Sequence, residues 1–221
     1  MILKQELSSL KKTIHPETLA IGVLTILYLV GILGVALPFH PDFVLLTPLN
    51  LLISLIIMLM FHDEWNQRII IFLFTSYLVG FGAELFGVQT GFLFGDYQYG
   101  HVLGPKIWGT PLMIGVNWMI LAYASGTIAN TVLNNLHWLL RAVFAALLMV
   151  GLDVLIEPVA MRLGFWSWAG DTVPLQNYIG WFLVALPLLC IFTITLKSVR
   201  NKVAIALFIL QFIFFLSLNI L

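Results

Sequence analysis

Met149-Val-Gly-Leu-Asp153-Val-Leu-Ile-Glu157-Pro158 decides the reading of this chain, because it sets two carboxylates into a run that otherwise belongs in lipid. Four residues apart, Asp153 and Glu157 fall on one helix face, one turn from each other. A carboxylate at membrane depth is costly unless it is protonated, paired or turned toward a cavity, so such a pair is a site hypothesis by default. The bilayer alone explains the apolar residues around it.

Composition agrees with that setting. Of 221 residues, 61% are hydrophobic and only 9% charged, which lies far outside the soluble globular range. The reading is an all-α, polytopic membrane protein, with no room for a separate soluble domain. Ten acids balance ten bases, so charge gives no reason to expect nucleic acid, and these residues inform by position. Cys190, the one cysteine, sits in an apolar run and reads as a small packing residue.

Outward from the acid pair, hydrophobic runs of about membrane length recur. Seven transmembrane helices are expected, at about Leu19 to Ala36, Leu45 to Phe61, Ile69 to Phe86, Pro111 to Asn130, Trp138 to Glu157, Tyr178 to Leu196 and Val203 to Ile220. All belong to a single membrane domain covering residues 1–221. Leu3, Leu7, Leu10 and Ile14, interleaved with Lys4, Lys11 and Lys12, predict a short interfacial helix over residues 1–16, ended by Pro16. The connection from Gly87 to Thr110 is long for a minimal turn, and loops of that length usually have a function.

Charge then orients the chain. With a cytoplasmic N-terminus, Lys4, Lys11, Lys12, Arg68, Arg141, Lys197, Arg200 and Lys202 lie inside, against Lys106 and Arg162 outside. That split predicts a multi-pass protein of the cell membrane with its C-terminus outside, and puts the two longest connections on the outer side. Glu84 and Asp153 each fall fifteen residues past the inner ends of their spans, on the order of 22 Å deep at 1.5 Å per residue. Asn117 falls at a similar level and Glu157 one turn further out. The expected result is a polar layer of Glu84, Asn117, Asp153 and Glu157 under the outer loops.

Those loops carry Phe94-Gly-Asp96-Tyr97-Gln-Tyr99-Gly100 and Phe165-Trp166-Ser-Trp168-Ala-Gly-Asp171. Tyr99, Trp108 and Trp138 have a plain reading as interfacial anchors. Trp166 and Trp168, between acids in a loop over the polar layer, have more claim to a site. No metal site is expected. His15, His40, His62, His101 and His137 are scattered, and His62-Asp63-Glu64 reads as a solvated inner turn. Nucleophile-elbow, phosphate-loop and dinucleotide motifs are absent from the sequence. What remains is carboxylic-acid chemistry in a dry aromatic pocket. An acid such as Asp153, buried beside a second carboxyl, would hold a proton at neutral pH and could give it to a carbon-carbon double bond. The faces of Trp166, Trp168 or nearby rings would stabilise the resulting cation. The bland alternative is a hydrogen-bonded pair that pins helices together.

At this point the chain resembles a family. Gly91-Phe-Leu-Phe-Gly-Asp-Tyr-Gln-Tyr-Gly100, Leu103-Gly-Pro105, Gly109-Thr-Pro-Leu112, Asn117-Trp118, the Asp153 to Pro158 segment, Gly164-Phe-Trp-Ser-Trp168 and Val173-Pro-Leu-Gln-Asn-Tyr-Ile-Gly-Trp181 are similar, in the same order, to the motif series of the membrane carotenoid hydratases. These are the enzymes of the bisanhydrobacterioruberin hydratase and gamma-carotene hydroxylase type, often labelled simply carotenoid biosynthesis protein. The resemblance implies addition of water across the terminal double bond of an acyclic carotenoid end group, giving a tertiary alcohol with no cofactor. It also implies association with other enzymes of carotenoid synthesis. The family pattern prefers Asp where this chain has Glu157, so Asp153 and Glu157 both stand as candidate proton donors.

The expected roles follow. Asp153 protonates the alkene, Glu157 or Glu84 orients and deprotonates water, and Asn117 and Asn177 position it. Asp96 with Tyr97 and Tyr99 closes the outer side, while Trp118, Trp166, Trp168 and Trp181 line the substrate's path. Two rivals stay open. A membrane lycopene cyclase would start from the same cation and capture it without water, and a lipophile or proton-coupled transporter would use the acids as a relay.

Overall fold

The computed structural model describes residues 15–37 and 40–221. Among them, seven helices are long and apolar enough to cross a membrane, as expected, and the chain is a multi-pass membrane protein. They are α1 (Pro16–Ala36), α2 (Thr47–Met60, extended by a 3-10 turn at Pro41–Leu46), α3 (Gln67–Thr90), α4 (Leu112–Val132), α5 (Trp138–Arg162), α6 (Leu175–Thr195) and α7 (Lys202–Ile220). The interfacial helix expected over residues 1–16 lies almost wholly outside the described residues. Pro16 itself opens α1, a position where its missing N–H costs no hydrogen bond.

Local chemistry sets several of these ends. The Asn66 side chain accepts from the backbone N–H groups of Arg68 and Ile69 at the start of α3, and Asn201 caps α7 through the Ala204 N–H. Gly91, at φ +65°, ends α3 in the left-handed conformation glycine allows. The expected end of the fifth span at Glu157 is corrected, since α5 runs through Pro158 to Arg162. A proline inside a membrane helix is tolerated where neighbours satisfy the freed backbone groups. Asn219 of α7 donates to the Leu155 carbonyl at 2.8 Å, next to the Val154 carbonyl that Pro158 leaves without its usual donor.

α4 is the centre of the bundle. Of its most apolar window 72% is buried, against 17% for α1, and it packs against α2, α3, α5, α6 and α7. Ala122, Ala124, Gly126 and Ala129 let its neighbours approach closely. Leu29, Val30, Phe74, Leu147 and Ile209, on four of the surrounding helices, are at least half exposed, as a lipid-facing surface requires.

The two long connections lie on one face of the bundle and form a lid. Strand β1 (Tyr97–Tyr99) pairs antiparallel with β4 (Trp166–Trp168), matching Tyr97 with Trp168, Gln98 with Ser167 and Tyr99 with Trp166. A two-stranded turn of β2 (Lys106–Ile107) and β3 (Thr110–Pro111) leads into α4. Side chains alternate across a strand, so Gln98 and Ser167 are exposed while the four aromatic residues turn inward. Gly100 permits the ladder's end, for a Cβ there would lie 2.0 Å from the Gly164 carbonyl oxygen.

Candidate active site

Beneath this lid a cavity of about 20 Å³ is lined by Glu84, Tyr97, Tyr99, Ile114, Asn117, Asp153, Ile156, Glu157, Trp166, Trp168, Asn177 and Trp181. That is room for about one water molecule. All four members of the expected polar layer therefore meet in one place. Two helices deliver the acids, Glu84 from α3 and Asp153 with Glu157 from α5, while α6 brings Asn177 between the latter two.

Each strand of the lid serves one carboxylate. From β1, the Tyr97 and Tyr99 hydroxyls donate to Glu84 Oε2 at 2.6 and 2.7 Å, and the Trp118 indole donates to Oε1 at 3.1 Å. From β4, the Trp166 and Trp168 indoles both donate to Glu157 Oε2 at 2.8 Å. Burial, and then the Glu84 carboxylate itself, hold the Tyr97 and Tyr99 hydroxyls far above the usual tyrosine range, so both stay protonated donors. Glu84 and Glu157 thus accept from three donors each, the third for Glu157 being Asn177, which offsets part of the cost of burying a carboxylate.

Asp153 is different. The Asn177 amide donates one hydrogen to Asp153 Oδ2 at 2.8 Å and its other to Glu157 Oε1 at 3.2 Å. Asp153 Oδ1 is buried and has no partner among the described residues. Either a bare acceptor or a bare donor is costly there, the more so if charged, and a protonated carboxyl would leave a hydrogen free to give.

The aromatic walls are tightly set. Trp118 stacks on Trp181 with ring centroids 4.4 Å apart, and Tyr97 lies 4.8 Å from Trp168. Gly80 makes room for Trp118, since a Cβ at Gly80 would fall 2.3 Å from the Trp118 ring. Trp118 thus touches the site through Glu84 rather than by lining the cavity. Asp96 is not brought in. Its side chain is exposed and off the cavity wall, and its carbonyl accepts from the Ala169 N–H at 2.9 Å. Asp96 directly precedes β1, and that backbone bond ties the two lid segments together. Tyr99, which also read as an anchor, is buried on Glu84, while Trp108 is 74% exposed.

A second cavity, about 230 Å³ and mostly apolar, adjoins the first and shares Ile114, Asn117, Ile156 and Trp166 with it. It runs between α1, α2 and α7 on one side and the lid ends of α4 and α5 on the other. Val30, Leu46 and Leu49, each at least half exposed, line its mouth toward lipid. This groove left no mark in the sequence, because its walls are ordinary apolar span residues. Nor is His62 the solvated turn residue expected. It is buried, with Nδ1 2.8 Å from the Tyr123 hydroxyl, to which Asn201 also donates, although Asp63 and Glu64 are exposed.

Residues 46–221 match the model of a family described as carotenoid biosynthesis protein. Over 166 residues the chain is 29% identical to the bisanhydrobacterioruberin hydratase of Haloarcula japonica, an alignment covering 69% of this chain and 54% of that relative. The chain thus spans about half the length of the relative it matches. No solved structure matches it.

Proposed function

The chain belongs to the carotenoid biosynthesis protein family, and on that premise we propose that it is an enzyme that hydrates the terminal double bond of an acyclic carotenoid. The observation that carries the proposal is Asp153 Oδ1, buried and without a partner among the described residues, in the small cavity that adjoins the apolar groove and beside the hydrogen-bonded Glu157. One end of the polyene enters from lipid through the groove. At about 230 Å³ the groove is smaller than pockets that enclose whole drug-sized ligands, so the rest of the chain stays in the membrane.

Asp153 gives its proton to the less substituted alkene carbon, leaving a tertiary cation against the Trp166 and Trp181 faces. Water in the small cavity adds to the cation. Glu157 Oε1, which keeps a lone pair beyond its bond from Asn177, takes the proton that the water loses. Return of that proton to Asp153 through the next water to enter the cavity closes the cycle, and the balance is one water added to one double bond. Glu84, with its carboxylate committed to Tyr97, Tyr99 and Trp118, holds the lid closed and supplies negative potential.

Isotope incorporation tests this reading directly. Membranes containing the chain, supplied anaerobically with an acyclic carotene and no added cofactor, are expected to form a tertiary alcohol carrying heavy oxygen from labelled water. A product of unchanged mass would instead mean cyclisation or isomerisation, and label from molecular oxygen would reject protonation chemistry altogether.

The orientation belongs to the same proposal. With the N-terminus cytoplasmic, as the charge split favours, the lid and the acid cavity lie toward the outer surface. A reporter fused after Leu221 is then expected on the outer side and one placed near Arg200 on the inner side. Both on one side would contradict the seven-span path.

A further inference from the structure

The groove floor carries a polar cluster that hydration chemistry does not use. Tyr28 of α1, Asn50 of α2 and Gln211 of α7 line the groove, and Ser54 lies one helical turn beyond Asn50. The Tyr28 hydroxyl faces Asn50, Ser54 and Gln211, and an edge contact with Phe214, 5.8 Å between centroids, fixes its ring. Tyr28, Ser54 and Gln211 are at most 5% exposed. Three acceptors, Asn50 Oδ1, Ser54 Oγ and Gln211 Oε1, are buried with no partner among the described residues.

Tyr28 has one hydroxyl hydrogen to give and can satisfy only one of these three acceptors, so the remainder are matched by a ligand that brings a hydrogen-bond donor into an otherwise apolar groove. A hydrocarbon chain cannot do this. We infer that the groove floor is a binding subsite for the hydroxyl of an isoprenoid alcohol, held between Asn50 and Gln211. The proposal rests on the hydration reading for its nearest source, since that reaction turns an alkene end into a tertiary alcohol one cavity away. The retreating product engages the floor, where the incoming alkene found nothing to bond. A hydroxyl carried in from the membrane on another isoprenoid has the same chemistry and would occupy the same place.

The test is binding, read by quenching of tryptophan fluorescence, on the full chain in the Asp153→Asn background so that no turnover intervenes. The probes are an acyclic C40 carotene and the tertiary alcohol formed by hydrating one of its ends. One or two hydrogen bonds predict that the alcohol binds about fivefold to tenfold more tightly. In Gln211→Leu and Asn50→Leu that ratio is expected to fall toward one while carotene affinity holds. A ratio the two variants leave unchanged, or no preference to begin with, overturns the subsite.

Melting separates ligand recognition from helix pinning. Replacing an unsatisfied buried acceptor with Leu is expected to leave the melting temperature equal or higher, whereas a drop in both variants would make the cluster a structural network and overturn the proposal. Two further arms identify the source of the hydroxyl. Competitive inhibition of the active chain by its alcohol product, relieved in Gln211→Leu, assigns the product, and Gln211-dependent binding of saturated phytanol shows that a preformed alcohol also fits. If the chain hydrates no carotene yet keeps the Gln211-dependent preference, the functional reading fails and the subsite stands.

Discussion

Asp153→Asn is expected to leave a folded, membrane-inserted protein whose rate of product formation is down at least about a hundredfold, the low end of what general acid catalysis contributes. The substitution suits its surroundings. The Asn177 amide still finds the carbonyl oxygen of the new amide where it now finds Oδ2, and no charge is stranded. Only the acidic proton at Oδ1 is lost. Initial rates of carotene loss in membranes, normalised to folded protein, measure the effect. Near-normal turnover would return Asp153 to a helix-pinning role and move the proton donor to Glu157, the other carboxyl on that face.

Glu157→Gln should do more structural damage than Asp153→Asn. Glu157 accepts from Trp166 and Trp168 at one oxygen and from Asn177 at the other. Glutamine has one acceptor oxygen and one donor nitrogen, so whichever way it turns, its NH2 group meets either the Asn177 amide or the two indoles. At least one buried donor loses its acceptor, at a cost of about 1–3 kcal/mol. The expected result is a melting temperature lower by roughly 2–10 °C, together with turnover reduced at least about tenfold through loss of the water's base. Thermal unfolding in detergent beside a rate assay checks both. Unchanged melting would mean that the lid does not depend on an ionised Glu157.

The polar layer was legible because lipid makes every acid at depth informative. Once the spans were counted, the rise per residue put Glu84, Asn117, Asp153 and Glu157 at related levels, and the cavity contains all four. Strand alternation is not legible in the loops, because two three-residue strands give too short a pattern to read, so nothing in the sequence separates the outward Asp96 from the inward Tyr97 and Tyr99 beside it. Pro158 hides the true end of α5, because in water a proline usually ends a helix. The groove floor was hidden for another reason. Tyr28, Asn50, Ser54 and Gln211 are single polar residues on three helices, and no periodicity links residue 28 to residue 211.

The pairing of β1 with β4 bears on how the protein comes to be assembled. Its partners are about seventy residues apart in sequence, with α4 and α5 between them. Contacts of such separation must overcome the entropy of closing a long loop, and they tend to form after local ones. Glu84 and Glu157 each find their lid donors within about fifteen residues of chain, but the two half-sites are joined only when β1 and β4 pair. Ribosome-bound chains halted before Trp166 would hold Glu157 in the bilayer without either indole. Completion of the site therefore depends on a long-range strand pairing as well as on helix insertion.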